Sequence, residues 1–189
     1  EDRQHELLVW DIDRGEIVWR LDHRPALPIA PLFSPDGQYL AVACSRKDQK
    51  VVMWDLRSGQ RLYDLTPQQV THLHGFASVH FLPGGQRMLV NSAQNELTLH
   101  EVASGKLIHR MVDTHPTPRY QRERHLRETL LVSPDGRYVL ADYSSEYAIV
   151  WDLETGESRQ LIERRMGSMP VTRYFQFSDD GRKLLTRFQ

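Results

Sequence analysis

Phe33-Ser34-Pro35-Asp36-Gly37, followed by Tyr39-Leu40-Ala41-Val42-Ala43-Cys44 and then Val51-Val52-Met53-Trp54-Asp55-Leu56, is the stretch on which the fold turns. Pro35 presets φ for the first corner of a tight turn, and Gly37 supplies the conformation that closes it. The apolar run from Tyr39 to Cys44 therefore reads as a short strand leaving a hairpin turn. A polar break from Ser45 to Gln49 separates it from a second apolar run ending in Trp-Asp-Leu. Ser58-Gly59 makes the next turn, and Gln60 to Leu65 reads as one more short strand.

Working outward, the same signals recur. Ser34-Pro35-Asp36-Gly37, Leu82-Pro83-Gly84-Gly85, Ser133-Pro134-Asp135-Gly136 and Ser178-Asp179-Asp180-Gly181 start 48, 51 and 45 residues apart. Trp10-Asp11, Trp54-Asp55, His100-Glu101 and Trp151-Asp152 form a second series, spaced by 44, 46 and 51. A glycine lies four residues beyond each of those acids, at Gly15, Gly59, Gly105 and Gly156. Three landmarks in one phase, at a period of about 40 to 50 residues, mean an array of supersecondary units. Each unit reads as four short strands, which we call a to d. In the copy beginning at Phe76 these are Phe76 to Leu82, Gln86 to Asn91, Glu96 to Val102 and Lys106 to Val112. Valine, leucine, isoleucine and aromatics fill them, and Gly, Pro, Asp and Ser punctuate them. Sustained helical periodicity is absent, with room for one short helical turn within Thr117 to Glu128.

These residues resemble the WD-repeat β-propeller family, in which four-stranded blades stand radially around a channel. Trp-Asp at the end of strand c, Ser-Pro-Asp-Gly between strands a and b, and a Gly turn between c and d carry the resemblance. It implies structural roles for Trp10, Asp11, Asp48, Trp54, Asp55, Trp151 and Asp152. It also implies a hydrogen-bond network joining a His before strand a, an Asp in the b–c turn and the strand-c Trp. The match is patchy: Asp48 lies six residues before Trp54, but the corresponding places hold Gln4, Gln94 and Ser145, and His100 replaces a Trp. The repeats are degenerate, so apolar packing between sheets must carry most of the stability. The expected fold is all-β, a β-propeller of four-stranded antiparallel blades in a single domain spanning 1–189. Three complete blades lie at about 29–65, 76–112 and 129–162, with half blades at 1–22 and 171–189. The strands at the two ends either close a four-bladed ring or belong to a larger propeller. The larger one is favoured, because no initiator Met opens the chain.

Composition excludes several classes. Over 189 residues, 24 basic and 25 acidic side chains leave a net charge of −1, so no global field favours nucleic acid or an anionic membrane. No apolar run approaches the ~18 residues of a membrane helix, and no signal peptide opens the segment. The single cysteine, Cys44, precludes an intrachain disulfide and is expected as a small buried side chain. A reducing, cytoplasmic location follows as the expectation.

His72 and His74 lie two residues apart, and alternate residues of a strand share a face, so the pair could begin a zinc or copper site. No third ligand is evident, and Gly75 intervenes before His80; the alternative is that His72 caps a turn while His74 and His80 are solvated or packed. Asp11, Asp55 and Asp152 recur with the repeat, which argues for orienting strand c rather than acid–base work. No nucleophile elbow, zinc-protease helix, phosphate loop or dinucleotide fingerprint occurs. By repetition Trp10, Trp54 and Trp151 are expected in the core, whereas Trp19, Tyr120, Tyr143 and Tyr147 are surface candidates. The long connection from His115 to Arg127 carries Arg119, Tyr120, Arg122, Arg124 and Arg127, a set suited to an acidic or phosphorylated peptide, because Arg binds such groups bidentately. A solvated loop neutralised by Glu123 and Glu128 is the plain alternative. The resulting reading is a non-catalytic interaction scaffold without a cofactor, binding a protein or peptide through rim loops. An enzyme or ligand- and metal-binding propeller with a site near His72/His74 stands second, and a nucleic-acid-associated scaffold third. The oligomeric state stays open.

Overall fold

A computed structural model describes residues 6–22, 28–44, 50–66, 78–91, 97–111, 126–143, 147–163 and 174–187. The described residues form strands and turns with no helix. β1 (Glu6–Asp11) and β2 (Glu16–Asp22) make a two-stranded sheet. β3 (Pro28–Phe33), β4 (Tyr39–Cys44), β5 (Val51–Asp55) and β6 (Gln60–Leu65) follow in sequence order as a four-stranded sheet. A second such sheet holds β7 (Ser78–Phe81), β8 (Arg87–Asn91), β9 (Leu97–Glu101) and β10 (Leu107–Met111). A third holds β11 (Leu126–Val132), β12 (Tyr138–Tyr143), β13 (Tyr147–Asp152) and β14 (Ser158–Glu163), and β15 (Tyr174–Phe177) pairs with β16 (Leu184–Arg187). The strand runs read from sequence come within a few residues of these, because turn chemistry fixes where each hairpin reverses. Of the stretch from Thr117 to Glu128, where one short helical turn was expected, residues 117–125 lie outside the described residues. Leu126 to Glu128 belong to β11.

By contacts the chain divides into two compact units, Glu1–Ala93 with His100–Lys106, and Gln94–Leu99 with Leu107–Gln189. In the first unit, β4 and β5 are apolar at nearly every position because both faces of their sheet are covered. Leu40, Val42, Cys44, Val52 and Trp54 face one way and cluster with Leu21 of β2, while Leu7, Val9 and Trp19 pack around them. Ala41, Val51 and Met53 face the other way, against Met88, Val90 and Val102. Cys44 is buried, as expected. In the second unit, Leu140, Ala148 and Phe175 form a core joined by Leu131, Val150, Phe177 and Leu184.

Two tryptophan expectations change. Trp54 and Trp151 are 5% and 3% exposed, but Trp10 is 55% exposed. Along β1, Leu7 and Val9 turn toward the Leu21 cluster, so the alternate residues Leu8 and Trp10 turn away. No sheet among the described residues covers that second face. Trp19, read as a surface residue, is instead packed against the Leu21 cluster.

Candidate functional site

Three of the four a–b turns are built alike. Ser34 Oγ accepts the Tyr39 amide at 2.9 Å and donates to Asp36 Oδ1 at 2.6 Å, while that same oxygen accepts the Gln38 amide at 3.1 Å. Ser133 with Asp135 and Ser178 with Asp180 repeat the pattern, with Ser–Asp distances of 2.5 Å in both. Each hydroxyl and carboxylate satisfies backbone donors that the turn would otherwise orphan. The serine hydroxyl, then the backbone amide, holds Asp36, Asp135 and Asp180 below the usual carboxylate range.

The strand-c acids close the next turn. Asp55 accepts the Arg57 amide at 2.8 Å and the Ser58 hydroxyl at 3.0 Å. Asp11 accepts the Arg14 amide at 3.0 Å, and Asp152 the Glu154 amide at 2.9 Å. Arg137 adds an ion pair to Asp152 at 3.0 Å. The Arg57 amide is the main cause that lowers Asp55; Asp152 is pushed up by burial but more strongly down by the Glu154 amide and Arg137. Carboxylates engaged this way are acceptors for backbone, not proton shuttles.

A third arrangement was not read from the sequence. In strand d, four residues after three of the four turn glycines (Gly15, Gly59 and Gly105), stands a ring-bearing residue: Trp19, Tyr63 and His109. Each ring covers the turn glycine of the following sheet. A methyl group on Gly59 would lie 2.3 Å from Trp19, on Gly105 2.8 Å from Tyr63, and on Gly156 3.3 Å from His109. Each ring also reaches a carbonyl beside that glycine. Trp19 Nε1 donates to Leu56 O at 2.7 Å, the Tyr63 hydroxyl donates to Val102 O, and His109 Nε2 lies 3.1 Å from Glu154 O. Burial pushes the Tyr63 phenol up. The recurring spacing of glycine to ring was visible, but its meaning depends on which sheets are neighbours.

His100, standing where other copies have Trp, is buried and places Nδ1 3.0 Å from the Gly105 carbonyl. A carbonyl only accepts, so that nitrogen carries the proton. Burial lowers the pKa of both His100 and His80. By contrast, the indole N–H groups of Trp54 and Trp151 are buried without a hydrogen-bond partner among the described residues.

In the second unit a cleft of about 520 Å³ opens among Tyr138, Val150, Asp152, Arg159, Phe177 and Arg182. Val150 and Phe177 are apolar parts of its lining, and Arg137, Arg159 and Arg182 stand there with Asp152 and Glu157.

Several expected positions lie outside the described residues: Asp48, His72, His74, Arg119, Tyr120, Arg122 and Arg124. Arg127 falls in β11 and Tyr143 and Tyr147 in β12 and β13, but their side chains are not among those described. Among the described residues no three His, Cys, Asp or Glu side chains gather as metal ligands.

The strand order and the glycine-backed turns define a β-propeller, and comparison with a known structure agrees. The chain matches the β-propeller domain of Cps50 (Swd1) from Myceliophteria thermophila with a TM-score of 0.64 at 18% identity, over 97% of this chain and 56% of that one. Among curated proteins, Periodic tryptophan protein 2 of Arabidopsis thaliana is 25% identical over 171 residues, covering 85% of this chain and 18% of the relative. Human Pre-mRNA-processing factor 17 is 30% identical over 97 residues, covering 50% of this chain and 16% of the relative. The chain thus spans less than a fifth of the length of these two relatives. No family model matches the sequence. The resemblance to degenerate WD-repeat propellers is borne out.

Proposed function

We propose that this chain is a non-catalytic scaffold that binds a protein or peptide partner through its rim loops. One observation carries the reading: the repeated carboxylates and hydroxyls that would be first candidates for catalysis are spent on capping turns. What the turns hold in place is a frame for loops, and loops on a rigid frame are where binding residues concentrate. The Arg119 to Arg127 connection is the binding segment of this proposal, with Tyr120 as an aromatic anchor beside Arg122 and Arg124, and an acidic or phosphorylated peptide as its ligand. Similarity to proteins named for pre-mRNA processing and periodic tryptophan motifs supports partners that are proteins. A cytoplasmic location and the assignment of the blades to 29–65, 76–112 and 129–162 belong to the same proposal.

The test is affinity capture with the wild-type chain and a variant carrying Ala at Arg119, Arg122, Arg124 and Arg127, both checked for unchanged circular dichroism. Partners present with the wild type and lost from the variant support the reading. An unchanged set of partners refutes it. Metal content measured before and after His72→Ala/His74→Ala tests the competing ligand-binding reading, which requires stoichiometric metal in the wild type alone.

A further inference from the structure

Two a–b turns with buried serines place an aspartate directly before a glycine, as Asp36-Gly37 and Asp135-Gly136. That dipeptide is open to a rearrangement of the chain. The glycine nitrogen attacks Cγ of the aspartate, and a five-membered succinimide forms as one water leaves. Water then adds back at either carbonyl. Addition at the α-carbonyl leaves the chain running through the β-carbonyl as isoaspartate, with one extra backbone carbon and unchanged mass. Glycine favours the attack because no side chain shields its nitrogen and its backbone is the least restricted.

In Asp36-Gly37 both reacting groups are engaged elsewhere. The Gly37 amide, which would attack, donates to Ser34 O at 2.9 Å. The carboxylate that would be attacked takes the Ser34 hydroxyl at 2.6 Å and the Gln38 amide at 3.1 Å, both on Oδ1. Water leaves from the neutral acid more readily than from the carboxylate. The Ser34 hydroxyl, and then the Gln38 amide, keep Asp36 ionised. The turn of the following sheet adds a third restraint. A methyl group on Gly85 would lie 3.1 Å from Asp36 Cγ, so the carboxylate is seated against that glycine.

Asp135-Gly136 repeats each part. The Gly136 amide donates to Ser133 O at 2.8 Å. Asp135 Oδ1 takes the Ser133 hydroxyl at 2.5 Å and the Arg137 amide at 3.0 Å. A methyl group on Gly181 would lie 2.8 Å from Asp135 Cγ. Ser34 and Ser133 are 3% and 0% exposed, so water does not compete for their hydroxyls.

We propose that Asp36-Gly37 and Asp135-Gly136 are latent isoaspartate sites, and that Ser34 and Ser133 suppress the modification by engaging both reacting groups. Nitrogen and carboxyl meet only when the turn opens, so the rate of modification follows the population of the opened turn.

Ageing of the full chain near neutral pH tests this, with isoaspartate counted at each site by peptide mapping and by enzymatic methylation of isoaspartyl carboxylates. The folded wild type should form isoaspartate at both sites at least about tenfold more slowly than the same chain in urea. Ser34→Ala should raise the rate at Asp36 about tenfold, the factor that one charge-assisted hydrogen bond supplies, and leave Asp135 unchanged. Equal rates in the folded and urea-unfolded wild type would overturn the proposal. So would a Ser34→Ala chain that ages at Asp36 as slowly as the wild type. A rise of equal size at Asp36 and Asp135 in that variant would also overturn it, because global unfolding rather than the turn would then set the rate.

Discussion

The indole of Trp19 occupies the space a side chain on Gly59 would need, lying 2.3 Å from where the first methyl carbon would sit. The same indole donates to Leu56 O at 2.7 Å, so one residue of β2 grips the turn that joins β5 to β6. Tyr63 on Gly105 and His109 on Gly156 repeat the grip. Glycine is required at these turns for close approach as well as for a positive φ. The sheets are therefore interlocked through ring, glycine and carbonyl, in addition to apolar burial.

Two glycine substitutions separate those requirements. Gly15 and Gly59 have φ of +66° and +70°, but only Gly59 has a ring against it. Gly15→Ala should cost about 1 kcal/mol, the penalty of a left-handed alanine. Gly59→Ala should cost at least about 2 kcal/mol more, as overpacking a rigid contact does. Urea midpoints of the two variants give the comparison.

Removing the polar end of the ring should be milder. Tyr63→Phe keeps the ring over Gly105 and deletes only the hydroxyl that donates to Val102 O. A loss of about 1 kcal/mol is expected, the net worth of one hydrogen bond. A loss as large as that of Tyr63→Ala would mean that packing contributes little.

The serine of the a–b turn should matter according to its burial. Ser133 is fully buried, and Ser133→Ala leaves the Tyr138 amide without its 2.8 Å acceptor. About 2 kcal/mol should be lost, the cost of an unsatisfied buried donor. Ser178 makes the same bonds in an exposed turn, where water replaces them, and Ser178→Ala should cost under about 1 kcal/mol. Thermal or chemical unfolding of both variants checks the order.

Stability should fall in mild acid through the histidines. Burial holds His80 and His100 below the ordinary value in the folded chain. The unfolded chain takes up these protons at about pH 6.5, so stability is intact above that pH and declines as pH falls through the lower folded values. His100→Asn keeps a donor for the Gly105 carbonyl but cannot titrate, so unfolding midpoints between pH 7.5 and 5 should change less with pH. The turn carboxylates, held low, contribute stability above about pH 4 that is lost only below it, outside that window.

How far the sequence alone reaches depends on the range of the interactions involved. Ser34-Pro35-Asp36-Gly37 and its repeats act over a few residues, and the turns they foretell are present with their hydrogen bonds. The repeat placed Trp54 in the core, and it is buried. Trp10 shares that motif yet is exposed, because burial depends on whether another sheet covers the face, which a local motif does not encode. Trp19 was misread for the converse reason: the glycine and carbonyl it meets lie about 40 residues away along the chain. Of the candidate binding site, residue types and spacing were legible, but Arg119 to Arg124 lie outside the described residues.

The interlocking of sheets is tested most directly by a double-mutant cycle on Trp19 and Gly59. With Trp19→Ala already in place the ring is gone, so adding Gly59→Ala should cost only about 1 kcal/mol, the same as Gly15→Ala. If Gly59→Ala instead costs as much without the ring as with it, the two residues are uncoupled and the sheets are not locked in this way.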